Sequence, residues 1–346
     1  MDNFKFKSPV LKNFDPKGYY FFGLWKQNLF SACFWASCWN KEIVDKLGIK
    51  SDEGGSLVLS QGNFFLKNSE IENIKKQIYQ KIDAHDEIFF KHMVEVANEY
   101  FKASVVYANT IKDKKLTPED FQEFITQARK VNFLWMLGAE QFSEAAQAKL
   151  SDVVVAELFP SEMVSEIIPK FDTPLNQQHR EVLELKKEIG NRSLLEIRND
   201  ATLHSKLEDH VKRFAWIEIA NFVGESLTVE RLYEQIIHAK DELGSKIKNN
   251  HSISPNLSFH ALCLSYCGYV RQAGAEYFFM LSEKSQPYLK AIAQKFDLTY
   301  SEFLSQRETE ILDALKGKLG SNDLKTNAKR REQMNLMIFA GLGNEV

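Results

Sequence analysis

The sequence predicts a mainly α-helical protein: a multi-helix domain with one small β-hairpin near 56–67 and a short C-terminal strand. Three features carry that expectation. Only 8 prolines and 16 glycines are spread over 346 residues, leaving long stretches without helix breakers. Apolar side chains recur at three- and four-residue steps. Several of these stretches open on a hydroxyl residue able to cap a helix.

Along the chain, Tyr19, Phe22, Trp25, Leu29 and Phe30 are spaced to share one helical face. Leu57-Val58-Leu59 and Phe64-Phe65-Leu66 flank Ser60-Gln61-Gly62-Asn63, which predicts the hairpin. Ile71, Ile74, Ile78 and Ile82 mark a helix, and Phe89 to Tyr107 a second. Thr117-Pro118-Glu119-Asp120 is a helix start: a capping hydroxyl, proline at the first position, then acids at the positive end. Phe121, Phe124, Ile125, Ala128 and Trp135 trace its buried face, and a separate alanine-rich helix runs from Ala139 to Phe159.

Pro160, Pro169 and Pro174 punctuate the middle, and Phe171 to Asn176 reads as an irregular crossing. The expected boundary lies there. Residues 1–170 form an aromatic-rich helical subdomain with the hairpin; 171–346 form a second helical subdomain ending in a connector strand. Helices follow at about 178–189, 192–197 and 203–216, then one capped by Thr228 and a polar loop over 240–256. Leu257 to Phe296 is a long helix with a bend expected near Pro287. Thr299-Tyr300-Ser301-Glu302 is a capping box for the next helix. The run Met334 to Phe339 has strand character and leads to turn residues at Gly341 to Asn344, as if a further module followed.

Composition excludes several classes. Apolar residues make up 44% and charged residues 26%, a globular balance. A formal net charge of −3 argues against a nucleic-acid binder, and the basic run Lys325, Lys329, Arg330 and Arg331 reads as a solvated face. The apolar stretch Tyr19 to Trp39 is interrupted by Lys26, Gln27 and Asn28, short of the ~20 apolar residues of a membrane span. With no secretory signal at its start and four scattered cysteines, the chain is expected in the cytoplasm.

No phosphate-cradling P-loop, GxGxxG fingerprint, HExxH zinc motif or Glu-x-x-His pair is present. His260, Cys263 and Cys267 share a helical face but lack a fourth ligand, so they read as packing, as do Cys33 and Cys38. No residue is expected to be catalytic and none to hold a metal. The functional candidates are instead His210, Arg213, Phe214 and Trp216 in HVKRFAW, with Arg271 and Glu276 in YVRQAGAEYFF. An arginine in an apolar helix calls for a carboxylate or phosphate partner, because an unpaired buried charge is costly.

The stretch HVKRFAWIEIANFVGESLTVERLYEQI resembles a segment of the phosphoenolpyruvate-utilising enzymes, the group of phosphoenolpyruvate synthase, pyruvate phosphate dikinase and rifampicin phosphotransferase. YVRQAGAEYFFMLSEKSQPYLKAIAQKFDLTYSEFLSQRETEIL is similar to the helix pair that follows there, with Arg271 at a matching arginine, and RREQMNLMIFAGLGNEV to the strand leading into the mobile domain. The aromatic opening, the hairpin and TPLNQQHREVLELKKEI follow in similar order. The likeness is best over about 205–346.

This resemblance implies the central helical region of a phosphoenolpyruvate-synthase-like phosphotransferase, catalytically incomplete by itself. The ATP-grasp module and the phosphohistidine mobile domain would act with it in cis or trans, and ATP and Mg would belong to them. Its own part would be to bind a small-molecule acceptor or dock the mobile domain. His210, Arg213, Phe214, Trp216, Arg271 and Glu276 would form the acceptor or anion site. The alternative is a stand-alone helical interaction protein that keeps the scaffold without the chemistry.

Overall fold

The computed structural model describes residues 19–24, 28–36, 39–50, 57–60, 63–240, 253–332 and 337–340. Trp25, Cys38, the Gln61-Gly62 turn, most of the 240–256 loop and Gly341 to Asn344 lie outside them.

The protein is mainly helical. β1 (Tyr19–Leu24), α1 (Leu29–Ala36), α2 (Lys41–Lys46), β2 (Leu57–Ser60) and β3 (Asn63–Lys67) precede the long helices α3 (Asn68–Asp83), α4 (Glu87–Thr110), α5 (Pro118–Met136) and α6 (Ser143–Ala156). Four shorter helices follow the turn α7 (Val164–Ile167): α8 (Pro174–Ile189), α9 (Leu194–Asn199), α10 (Ala201–Arg213) and α11 (Val229–His238). The chain then runs through α12 (Pro255–Lys295), α13 (Tyr300–Leu304), α14 (Glu308–Leu315), α15 (Ser321–Glu332) and β4 (Met337–Ala340). The strands are short and lie in the order β1-β3-β2-β4. Tyr19–Leu24, expected to open a helix, is extended and pairs antiparallel with β3. Bulky aromatic side chains suit a pleated strand, and helical spacing alone could not separate the two.

Caps set most helix starts. Thr117 Oγ accepts from Asp120 N at 3.2 Å, with Pro118 at the first position of α5. Thr299 and Glu302 form the capping box of α13. Thr173-Pro174 repeats the α5 device, so α8 begins at Pro174, inside the segment expected to be irregular. The helix expected over 203–216 stops at Arg213 and gives way to a 3₁₀ turn over Ala215–Glu218. α5 and α6 are not separate: a π-helical turn, Leu137–Phe142, joins them without a break.

At 41 residues α12 is about 60 Å long and runs unbroken past Pro287. It packs against α4, α5 and α6. Glycines let it approach closely. A methyl built on Gly274 would stand 2.7 Å from Trp135 Cα, and one on Gly138 would stand 2.7 Å from the Arg271 backbone nitrogen. The largest apolar core therefore crosses the expected 170/171 boundary, combining α1 to α6 with α12 to α15. A second, smaller core lies within α8 to α11, around Val182, Leu185, Ile197, Leu207, Leu232 and Ile236.

Phe222 anchors the segment between α10 and α11 in the main core. It is fully buried, with ring centroids 5.5–5.9 Å from Phe30, Phe34, Phe124 and Phe278. Asn221 and Phe222 hold positive φ of 53° and 66°. Asn28 Nδ2 donates to Asn221 O at 2.8 Å and Ser31 Oγ to Asn221 Oδ1 at 2.9 Å, which fixes this strained turn.

Alanine is worth about 1 kcal/mol over glycine in an open helix. Gly268→Ala, with nothing within 4 Å of the new methyl, should hold or raise stability. Gly274→Ala should lower it by about 1–3 kcal/mol through overpacking, despite the same gain in propensity. Urea midpoints of the two variants check the close crossing.

Candidate functional site

The candidate residues fall into two groups at different places on the fold. The first is the end of α10. Asp200 caps that helix, accepting from Thr202 N and Leu203 N at 3.1 Å, and its last turn carries His210 and Arg213. Three residues apart, they meet one partner on α8, Glu181. Arg213 Nη1 and Nη2 donate to its two oxygens at 2.6 and 2.7 Å, and His210 Nδ1 lies 3.1 Å from Oε2. Phe214 is buried with its ring 4.7 Å from His210 and 5.3 Å beneath the Arg213 guanidinium.

Burial sets the charges here. It pushes the Glu181 carboxyl up, but Arg213 and then His210 more than offset it, leaving Glu181 below its ordinary value. Burial pushes His210 down against the pull of Glu181, so the imidazole favours its neutral form. That fits Nδ1–H donating to Glu181, with Nε2 left as an acceptor that has no partner among the described residues. Arg213 thus forms a bidentate pair that ties α10 to α8. Trp216, on the 3₁₀ turn, is buried and its indole N–H likewise has no partner among the described residues.

The second group lies on α12, and its two charges behave oppositely. Glu276 is buried. Thr173 Oγ and Gln272 Nε2 donate to Oε1 at 3.0 and 2.7 Å, and Leu175 N donates to Oε2 at 3.0 Å. Burial raises its carboxyl above the ordinary range, against those three donors. It fastens the first turn of α8 to α12, with both oxygens occupied. Arg271, expected in an apolar setting with a partner, is exposed, because its position on α12 looks outward over the π turn. It makes no ion pair or hydrogen bond among the described residues.

Arg271 lines a cleft of about 710 Å³ between the start of α6, the crossing segment 168–176 and α12. Lys170, also exposed and unpaired among the described residues, shares the lining with Gln147, Asn176 and Gln272. The one carboxylate there, Glu144, is paired with Lys75 outside the cleft. The cleft therefore presents two uncommitted cations over neutral amides. Sequence reading missed Lys170, Asn176 and Glu181, since nothing local distinguishes them. The π turn beneath Arg271 was equally hidden, although such turns gather at functional sites.

His260 Nδ1 lies 2.9 Å from the Asn256 carbonyl oxygen, a partner within its own helix. Burial pushes the Cys263 thiol up to about 12 and Cys267 well above the ordinary value, so both behave as small apolar side chains. No cluster of metal-ligating side chains occurs among the described residues. No helix among them is long and apolar enough to cross a membrane.

The His210 setting has a pH consequence. Unfolded, its imidazole takes up a proton near 6.5, while the folded form resists it. The unfolded state then binds more protons, so stability should fall as pH drops through 6.5. The loss levels off once folded His210 protonates. Urea midpoints between about pH 7.5 and 5.5 should show this slope, and His210→Gln should remove that part of it.

No protein-family model, curated protein or solved structure matches this chain.

Proposed function

We propose that this chain is the central helical portion of a phosphoenolpyruvate-synthase-like phosphotransferase, serving to bind an acceptor or dock a phosphohistidine-bearing mobile domain. The resemblance of 205–346 motivates the reading, and the Arg271 cleft is the observation that carries it. Phosphoryl transfer depends on positioning and on neutralising negative charge. A phosphohistidine or phosphorylated small molecule brings about two negative charges, and Arg271 with Lys170 offers two positive ones. Gln147, Asn176 and Gln272 lie around them, their amide nitrogens donating within the protein to Ser151, Phe171 and Glu276. ATP-grasp and phosphohistidine modules in cis or trans would supply ATP, Mg and the transferred group. Arg213 and Glu276 act as framework: Arg213 through Glu181, and Glu276 through Thr173 and Leu175, hold α8 in place, and α8 begins at one wall of the cleft.

The test uses Arg271→Met. Because the side chain is exposed and unpaired, its loss should leave the urea midpoint within about 0.5 kcal/mol of wild type. Calorimetry with inorganic phosphate and phosphoenolpyruvate should show binding to wild type and a loss of about tenfold or more in the variant, or ~1.4 kcal/mol. Wild type that ignores both ligands, or a variant that binds them equally, would remove the anion role. The isolated chain should turn over neither ATP nor phosphoenolpyruvate in a coupled assay.

A further inference from the structure

A second cleft, of about 610 Å³, lies between α4, the end of α10 with its 3₁₀ turn, and the later part of α12. Its chemistry differs from that of the Arg271 cleft. Val105, Ala108, Trp216 and Met280 give it an apolar patch, set beside charged side chains. Its charges balance. Asp209 and Lys212 carry opposite signs, Lys284 Nζ lies 3.4 Å from Glu283, and Arg213 is neutralised by Glu181. Such a lining selects against a strongly charged ligand and favours one with an apolar body and few polar groups.

Trp216 adds a specific demand. It is 5% exposed, and its indole N–H is shut off from water with no acceptor among the described residues. Buried donors are nearly always partnered, and an orphan within a cleft wall marks a place where something else supplies the acceptor. Tryptophan is also a side chain that ligand sites favour, with a broad face and one directional donor. An acceptor in the cleft needs a small shift of the wall to reach this N–H. Met280, half-buried, unbranched and polarisable, shares the lining and is suited to give way.

We propose that this cleft is a binding site for a neutral, ring-bearing molecule whose carbonyl or hydroxyl oxygen accepts from the Trp216 indole. The ring lies against Trp216, Val105 and Ala108, and the polar edge faces Asp209 and Lys212. The site goes beyond the phosphotransferase reading and does not depend on it, since it uses neither Arg271 nor Lys170. In a phosphotransferase it would be the seat of the acceptor rather than of the phosphate.

Benzamide, a neutral ring with a carbonyl acceptor, and toluene, which lacks one, separate the two components of the site. Saturation-transfer NMR on the full chain should detect both, benzamide the tighter. Trp216→Phe keeps the ring and removes the N–H; it should weaken benzamide about fivefold and leave toluene unchanged. Val105→Trp, at a half-buried position on the cleft wall, should block both ligands while urea unfolding confirms a native fold. Arg271→Met should change neither, which keeps this outcome separate from that of the anion cleft. Absence of transfer from wild type to either ligand, or benzamide binding that survives both substitutions, would overturn the proposal.

Discussion

The close crossing of α12 over the helix formed by α5, the π turn and α6 is the constraint on which the rest depends. Side chains normally hold helix axes 8–10 Å apart. Here Gly274 meets the Trp135 backbone and Gly138 meets that of Arg271. The approach leaves α12 in contact with α4, α5 and α6 together, which makes it the centre of the main core. It also decides what α12 shows to water. Cys267, Val270, Ala273 and Phe278 face inward, while Arg271 and Gln272 are carried to the outer side.

A second constraint sets how the smaller core is attached. Phe222 reaches the main core only because the chain accepts a left-handed turn at Asn221 and Phe222. Gly224 follows with φ 117°, and a methyl there would stand 2.3 Å from the Glu218 carbonyl oxygen. Strain in this turn is offset by burying a whole phenylalanine among four others, on the order of 2–3 kcal/mol. Glu276 makes another attachment, by capping the start of α8 from α12.

These attachments explain the division among the charged candidates. Carboxylates and guanidinium groups that lie between packed helices must be paired, since an isolated buried charge is far too costly. Arg213, more than half exposed, forms a bidentate pair with Glu181, and Glu276 lies in that buried position with both oxygens engaged. Arg271 and Lys170 face a cleft and are not paired among the described residues. The two clefts border α12 at 264–272 and at 280–284, so their nearest parts are about 12 Å apart along the helix. One is cationic and amide-lined; the other is balanced in charge around an apolar patch.

Helix content, the caps at Thr117, Thr228 and Thr299, and the buried stripe Ile71, Ile74, Ile78 and Ile82 were legible in the sequence, because each depends on neighbours within one turn or two. HVKRFAW and YVRQAGAEYFF stand out in the sequence for charges set among apolar neighbours. Only the tertiary structure decided which of their residues are available. Arg213 is claimed by Glu181, 32 residues earlier, and Glu276 by Thr173 and Leu175, more than 100 residues away. Arg271 is left open because the glycine-mediated crossing turns it toward solvent, and Lys170 joins it from a segment with no local signal. Local propensity fixes where a helix starts. Which face it buries, and which charge finds a partner, depends on contacts between distant segments that one-dimensional spacing does not encode.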